Sequence, residues 1–220
     1  MSEPTATAKK NGETFGKPAL TYIKEKNFER KLGRSLTNET NARATSWGKL
    51  VEKRAFDLLG TEYRLCSSET IEHPELSEIW AGSPDLIKYD EGRTVVDIKC
   101  PYTLKSFCEL YEIESGEQLK DENTEYYWQL VSNAILTESK YAELIIYCPF
   151  KRELEDMRLL ADEVGEDWCK WIFFSNDYDL PFLIEGKFYN NLKTLRFEVP
   201  QSDKDLLTAK IKEAGKLLIN

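Results

Sequence analysis

The stretch Ser83-Pro84-Asp85-Leu86-Ile87-Lys88-Tyr89-Asp90-Glu91-Gly92-Arg93-Thr94-Val95-Val96-Asp97-Ile98-Lys99-Cys100-Pro101 decides the fold of this chain. Two apolar runs, residues 79–88 and 93–99, flank the turn-forming Tyr89-Asp90-Glu91-Gly92, and this pattern predicts a β-hairpin. Alternate side chains of a strand share a face, so Asp97 and Lys99 point one way while Ile98 points into the core. A carboxylate and an ammonium thus emerge together. Asp85 comes beside Asp97 across the hairpin, and two carboxylates with a backbone carbonyl make an oxygen-rich site of the kind Mg²⁺ takes. With Lys99 to stabilise charge developing on a phosphate, such a site suits phosphodiester hydrolysis. The bland alternative is a turn cap at Asp85 and a solvated edge at Asp97 and Lys99. Charges leaving an apolar hairpin weigh against it.

Working outward, residues 1–17 are polar and carry no apolar period, so a flexible arm is expected there, followed by a single domain over 18–220. Leu20, Ile23, Phe28 and Leu32 fit a helix over 19–32 that stops at Gly33. Trp47, Leu50, Val51, Phe56 and Leu58 or Leu59 mark the buried side of a second helix over 41–59. A short strand over 69–73 precedes the hairpin. After Pro101 the chain reads as irregular and acidic, with seven acidic residues and only Lys120 as a cation between Glu109 and Glu125. A helix over 124–136, a strand over 143–148, a strand over 194–199 and a helix over 202–218 with Ser202 as N-cap complete the reading. Residues 151–190 hold the aromatics Trp168, Trp171, Phe173, Phe174, Tyr178 and Phe182, expected to form the core of a small inserted subdomain. His73, the lone histidine, is assigned a structural role.

A chain of 220 residues can bury a full core without metal or disulfide staples. Its five cysteines, Cys66, Cys100, Cys108, Cys148 and Cys169, include no C-x-x-C pair, which points to reduced thiols in a cytoplasm and to Cys100 as a core residue. The first residues lack the layout of a signal peptide, and no apolar run reaches membrane-spanning length. The net charge of −9 hides a segregation: residues 1–60 carry +5 and residues 61–220 carry −14. Charge alone decides no function.

Several motifs in one order resemble the phage lambda exonuclease and YqaJ-type viral recombinase family, within the restriction-endonuclease-like P-D…(D/E)-x-K nucleases. They are Ser46-Trp47-Gly48-Lys49 with Glu52 and Ala55, Ala81-Gly82-Ser83-Pro84-Asp85, Asp97-Ile98-Lys99-Cys100-Pro101-Tyr102-Thr103 with Ser106-Phe107, and Tyr127-Trp128-Gln129 with Thr137, Tyr147 and Pro149. The resemblance implies an α/β fold, a small mixed central sheet flanked by helices. It implies an Mg²⁺-dependent exonuclease, with Mn²⁺ as a substitute, that digests linear duplex DNA from the 5′ end and leaves 3′ single strands for recombination by annealing. Asp85 and Asp97 would be metal ligands with the Ile98 carbonyl, Glu52 would support the metal, Lys99 would be the active-site lysine, and Gln129 would lie near the site. Taken alone, Glu52 reads as a solvated helix face and Gln129 as an ordinary helix hydrogen bond. A homotrimer and a single-strand annealing partner, in the cytoplasm of a bacterial or phage-infected cell, are further implications. The alternatives are a non-catalytic DNA-end or partner-binding module on the same fold, and a site-specific endonuclease. One family feature is missing: the Arg-containing segment with Gly and Thr-Ala-Ser that helps bind a 5′ phosphate. No Arg precedes Arg30, and Lys9, Lys10 and Lys17 lack its bidentate grip; Arg30, Arg34 and Arg43 are the next candidates.

Overall fold

A computed structural model describes residues 14–36, 42–66 and 70–219; residues 1–13 of the expected arm lie outside them. By packing, the chain divides into two compact units, one of residues 41–72 and 81–200 and the other of residues 1–40, 73–80 and 201–220.

The larger unit is a mixed α/β layer structure. Helix α2 follows α1 in the chain; α1 spans Lys17–Leu32 and α2 spans Arg43–Asp57. The strands are β1 (Tyr63–Leu65), β2 (Ile71–Glu72), β3 (Ala81–Gly82), β4 (Leu86–Lys88) and β5 (Thr94–Lys99). Helices α3 (Leu104–Tyr111), α4 (Gly116–Glu122) and α5 (Thr124–Leu136) lead to β6 (Tyr141–Tyr147). Helices α6 (Leu154–Val164) and α7 (Lys170–Phe173) and strand β7 (Leu192–Glu198) end the unit. Five strands form one sheet in the order β1-β4-β5-β6-β7, and β2 and β3 form a separate ribbon. Strands β5 and β6 are parallel, with Asp97 opposite Leu144, and the other pairs are antiparallel. A parallel pair needs a crossover, and α3, α4 and α5 supply it.

The predicted hairpin is present, and Gly92 with a φ of 95° makes its turn possible. Asp90 holds that turn closed by accepting from Thr94 Oγ1 at 3.0 Å and from the Arg196 guanidinium at 2.8 Å. The expected strand over 79–88 is broken, however. Pro84 has no N–H to give a ladder, so Ala81–Gly82 pair with β2 while Leu86–Lys88 join the main sheet. The stretch read as irregular and acidic is helical. Thr103, Ser115 and Asn123 each accept a backbone N–H, from Ser106, Gln118 and Tyr126, and so start α3, α4 and α5. The acidic residues sit on the outer faces of these short helices.

Helix α2 buries Trp47, Leu50, Val51 and Ala55 against Leu86, Val96, Ile98, Ile145 and Tyr147 of the sheet, while Phe56 and Leu59 pack at the edge and Leu58 is exposed. Trp168, Trp171 and Phe182 pack against this same core, beside Leu154, Met157 and Ile172. Cys100 is buried there, as expected. Among the described residues no helix is long and apolar enough to cross a membrane.

The smaller unit contains α1 and the final helix α8 (Gln201–Gly215). Helix α1 ends at Gly33, whose left-handed φ of 66° lets its N–H reach the Glu29 carbonyl. Of its apolar residues Ile23 is buried beside Phe15 and Ala19, whereas Leu20, Phe28 and Leu32 are exposed. Arg30 is committed to structure, donating to the carbonyls of Ile219 at 2.6 Å and Glu78 at 2.9 Å. Helix α8 begins at Gln201, so Ser202 lies inside it rather than at the N-cap. His73 stacks on Trp80 at 4.8 Å, and its Nδ1 accepts the N–H of Glu75, in keeping with a structural role.

Because Ile98 faces the α2 core, replacing it with an acid buries a carboxylate with no partner. Ile98→Asp is expected to lose on the order of 4 kcal/mol or more of unfolding free energy in a urea titration. A loss below about 1 kcal/mol would show that this face of β5 is not the core.

Candidate active site

Strand β5 is covered on both faces, so its side chains read as a near-continuous apolar run until Asp97 and Lys99. Asp97 is 1% exposed. Its Oδ2 lies 2.5 Å from Lys99 Nζ. Helix α5 brings Gln129 to the pair: its Nε2 donates to Asp97 Oδ1 at 3.1 Å and its Oε1 accepts from Lys99 Nζ at 3.3 Å. Three side chains therefore close a ring in which each fixes the other two. Tyr126, one turn earlier on α5, places its ring 4.8 Å from Lys99 Nζ.

Asp85 enters from the other side of the hairpin. Its Oδ2 accepts the Ile98 backbone N–H at 2.7 Å, a bond available because β4 begins only after Pro84 and Asp85 have turned out of the ladder. Glu52 reaches the same region from α2, one helical turn after Gly48 and Lys49 on the face that lines the cleft.

The electrostatics agree with this crowding. Burial, then the charges of Asp97 and Glu52, push the Asp85 carboxyl up to about 7 against the Ile98 N–H and Lys99, which favour ionisation. Asp97 is raised by its burial, which outweighs the ion pair with Lys99. Glu52 is raised by burial and then by the charge of Asp97. For Lys99, burial acts downward, yet Asp97 and Asp85 prevail and hold it above the ordinary lysine range. Three carboxyl groups thus share one ammonium.

Such a set of hard oxygen donors with surplus negative charge fits a divalent cation chemically. Among the described residues no three Asp, Glu, His or Cys side chains are already set around a common ion position. Glu52, Asp85 and Asp97 are the groups that would hold the cation.

An open cleft of about 790 Å³ adjoins the cluster. Its lining includes Gly48, Lys49, Glu52, Lys99, Tyr102 and Tyr126. All five residues singled out in the sequence, Glu52, Asp85, Asp97, Lys99 and Gln129, therefore come to one end of β5. Lys49 carries no assigned role in its sequence motif, and Tyr126 is in none, although it lies three residues before Gln129 and so shares its helix face. Of the arginine candidates, Arg43 sits beside the cleft residues Ala44 and Thr45 at the start of α2, and Arg30 is occupied in the smaller unit.

The comparisons with known proteins bear on family and fold. The family model of the YqaJ-like viral recombinase domain matches residues 4–140, which include all five site residues. No curated protein sequence matches the chain. Among solved structures, a phage-related exonuclease from Haemophilus somnus 129PT superposes with a TM-score of 0.64 at 16% identity, over 99% of this chain and 87% of that one. The alkaline exonuclease LHK-Exo from Laribacter hongkongensis superposes with a TM-score of 0.52 at 18% identity, over 98% of this chain and 85% of that one. A complex of LHK-Exo with dAMP gives 0.52 at 16% identity, over 90% and 78%. At these identities the structural likeness is one of fold, and the matched sequence family carries the assignment: the chain belongs to the YqaJ-like viral recombinase family and is an enzyme of the nuclease class.

Proposed function

We propose that the chain is a divalent-cation-dependent exonuclease that acts on the ends of linear duplex DNA, digests from the 5′ end and leaves 3′ single strands for annealing. The observation that carries this reading is the convergence of Glu52, Asp85, Asp97, Lys99 and Gln129 at one end of β5, beside an open cleft. When bound, Mg²⁺ or Mn²⁺ supplies Lewis-acid polarisation of a phosphate and activation of water at neutral pH. The residues supply the rest. Asp85 and Asp97 would hold the cation, Glu52 would add its charge from α2, and the Ile98 carbonyl would be the backbone donor. Lys99, fixed by Asp97 and Gln129, places its ammonium where negative charge develops on the scissile phosphate. Gln129 positions both. A homotrimer with a single-strand annealing partner, in the host cytoplasm, completes the proposal.

The test is linear duplex labelled separately at each end, with and without Mg²⁺, beside closed circular duplex. Wild-type protein should release label from the 5′ end only when Mg²⁺ is present and should spare the circle. Lys99→Ala and Asp97→Asn should each lower the rate by roughly two to four orders of magnitude while the protein stays folded. Full cleavage in excess chelator, or a fast Lys99→Ala enzyme, would remove this assignment.

A second prediction needs no activity. Without metal, the folded-state Asp85 carboxyl titrates near 7 and the unfolded one near its ordinary value, so the folded state binds more protons between them. Stability is then lost as pH rises from about 4 to about 7. Asp85→Asn keeps an oxygen for the Ile98 N–H and removes the charge, so in EDTA its melting temperature should exceed that of wild type by a margin that widens from pH 5 to pH 8. Adding Mg²⁺ at pH 8 should raise the wild-type melting temperature and move the variant less. A variant that melts below wild type in EDTA at pH 8 would show that the three carboxyl groups do not strain the fold.

A further inference from the structure

Gly48 lies in the middle of α2, in ordinary right-handed helix, where glycine is the least favourable residue apart from proline. Two other glycines of the larger unit are explained by the protein itself. A Cβ on Gly82 would stand 2.7 Å from Leu136 Cδ1, and one on Gly116 would stand 2.7 Å from the Phe197 ring. At Gly48 no such reason exists: an added Cβ would meet only the Cys100 carbonyl oxygen, at 3.9 Å, an ordinary contact. The protein has room for a methyl group there, and that room is part of the cleft.

The neighbouring residues share this orientation. Thr45, Gly48, Lys49 and Glu52 follow one another at helical spacing along the cleft wall. Lys49 makes no ion pair among the described residues; its Nζ lies 4.6 Å from the centre of the Trp168 ring. At the start of the same helix, Arg43 lies 5.2 Å from the Trp171 ring. An aromatic face holds a cation in place without cancelling its charge, as a carboxylate would. Both tryptophans are anchored by packing against the core of the unit. The Lys49 ammonium thus lies against Trp168 and at the cleft, next to a position with no side chain.

We propose that this strip of α2 receives one sugar–phosphate backbone of the DNA. Gly48 leaves the space that the backbone fills, Lys49 pairs with a phosphate, and Trp168 is a positioning residue that holds Lys49 over the cleft. The inference rests on the DNA substrate proposed above. It adds the residues that seat the strand beside Glu52 and Lys99.

The experiment measures binding of a fluorescently labelled linear duplex by anisotropy, in Ca²⁺ and at stepped salt concentrations, for wild type, Gly48→Ala, Lys49→Ala, Trp168→Leu and Trp168→Phe. Gly48→Ala should bind roughly tenfold more weakly or worse, because a small misplacement of the strand is costly, while melting at or above the wild-type temperature. Lys49→Ala and Trp168→Leu should each lower the slope of log Kd against log salt by about 0.9, the share of one phosphate contact, and combining them should lower it no further. Trp168→Phe keeps an aromatic face and should keep most of the slope. Gly48→Ala binding within about twofold of wild type, or melting well below it, would overturn the clearance argument. A wild-type slope in Lys49→Ala would overturn the phosphate contact, and a wild-type slope in a folded Trp168→Leu would overturn the positioning role. If the variants bind as expected and wild type releases no label from duplex ends in Mg²⁺, the strip stands and the exonuclease reading falls. Wild-type protein that binds no duplex would overturn both.

Discussion

The ion pair between Asp97 and Lys99, set at the end of a strand covered on both faces, is the constraint to which the rest of the larger unit answers. Removing two charges from water costs more than their attraction returns unless other groups satisfy them. Here Gln129 bonds to both members, and the neighbouring Ile98 N–H goes to Asp85. Each of these partners arrives on a different element. The hairpin must turn at Gly92, and α5 must cover the Asp97 face of β5 while α2 covers the Ile98 face. The parallel partner β6 supplies the far side of the strand. A sheet of another order would leave the pair without its glutamine or without its second acid.

The central hairpin, α2 and α5 were legible because each rests on a local pattern: alternation around Ile98, a Trp47-Leu50-Val51 face, a run of apolar residues on either side of Gln129. What was missed is tertiary or depends on capping. Strand β1 is three residues long and holds its place by pairing Tyr63–Leu65 with β4, which no local period announces. Helices α3 and α4 were hidden because their outward faces are acidic, although Thr103, Ser115 and Asn123 were in the sequence as capping residues. The continuous strand expected over 79–88 failed at Pro84. There the P-D motif that marks the site is also what ends the ladder.

The candidate site shows the same division. Asp97 and Lys99 share a face by strand periodicity alone. The nearness of Asp85 follows from the hairpin. Glu52 and Gln129 could not be placed by periodicity, since nothing local says which helix face meets the end of β5; the ordered motifs of the family placed them. The structure brings both to that end, and adds Tyr126 and Lys49, whose relevance lies in contacts with Lys99 and Trp168 rather than in any pattern of their own.

A net charge of −9 and a polyanionic substrate are reconciled by where the charges stand. Helix α2 contributes Arg43 and Lys49, held by tryptophans, whereas Glu109 of α3 and Glu122 of α4 also line the cleft. These acids come from helices that follow β5, on the Asp97 side of the sheet, and α2 lies on the other. On the proposed reading, the cleft therefore presents unlike walls to a strand of DNA. Long-range attraction is weak for such a protein, and short-range fields decide how the strand lies once it arrives. On that reading, Lys49 attracts a sugar–phosphate backbone while Glu109 and Glu122 repel it, which biases the strand toward the α2 wall; Lys99 is the remaining cation of the lining among the described residues. The acidic composition that argues against tight, indiscriminate binding becomes a means of orientation. A nuclease confined to DNA ends has use for that property, because a wholly basic cleft would hold duplex at every position along its length.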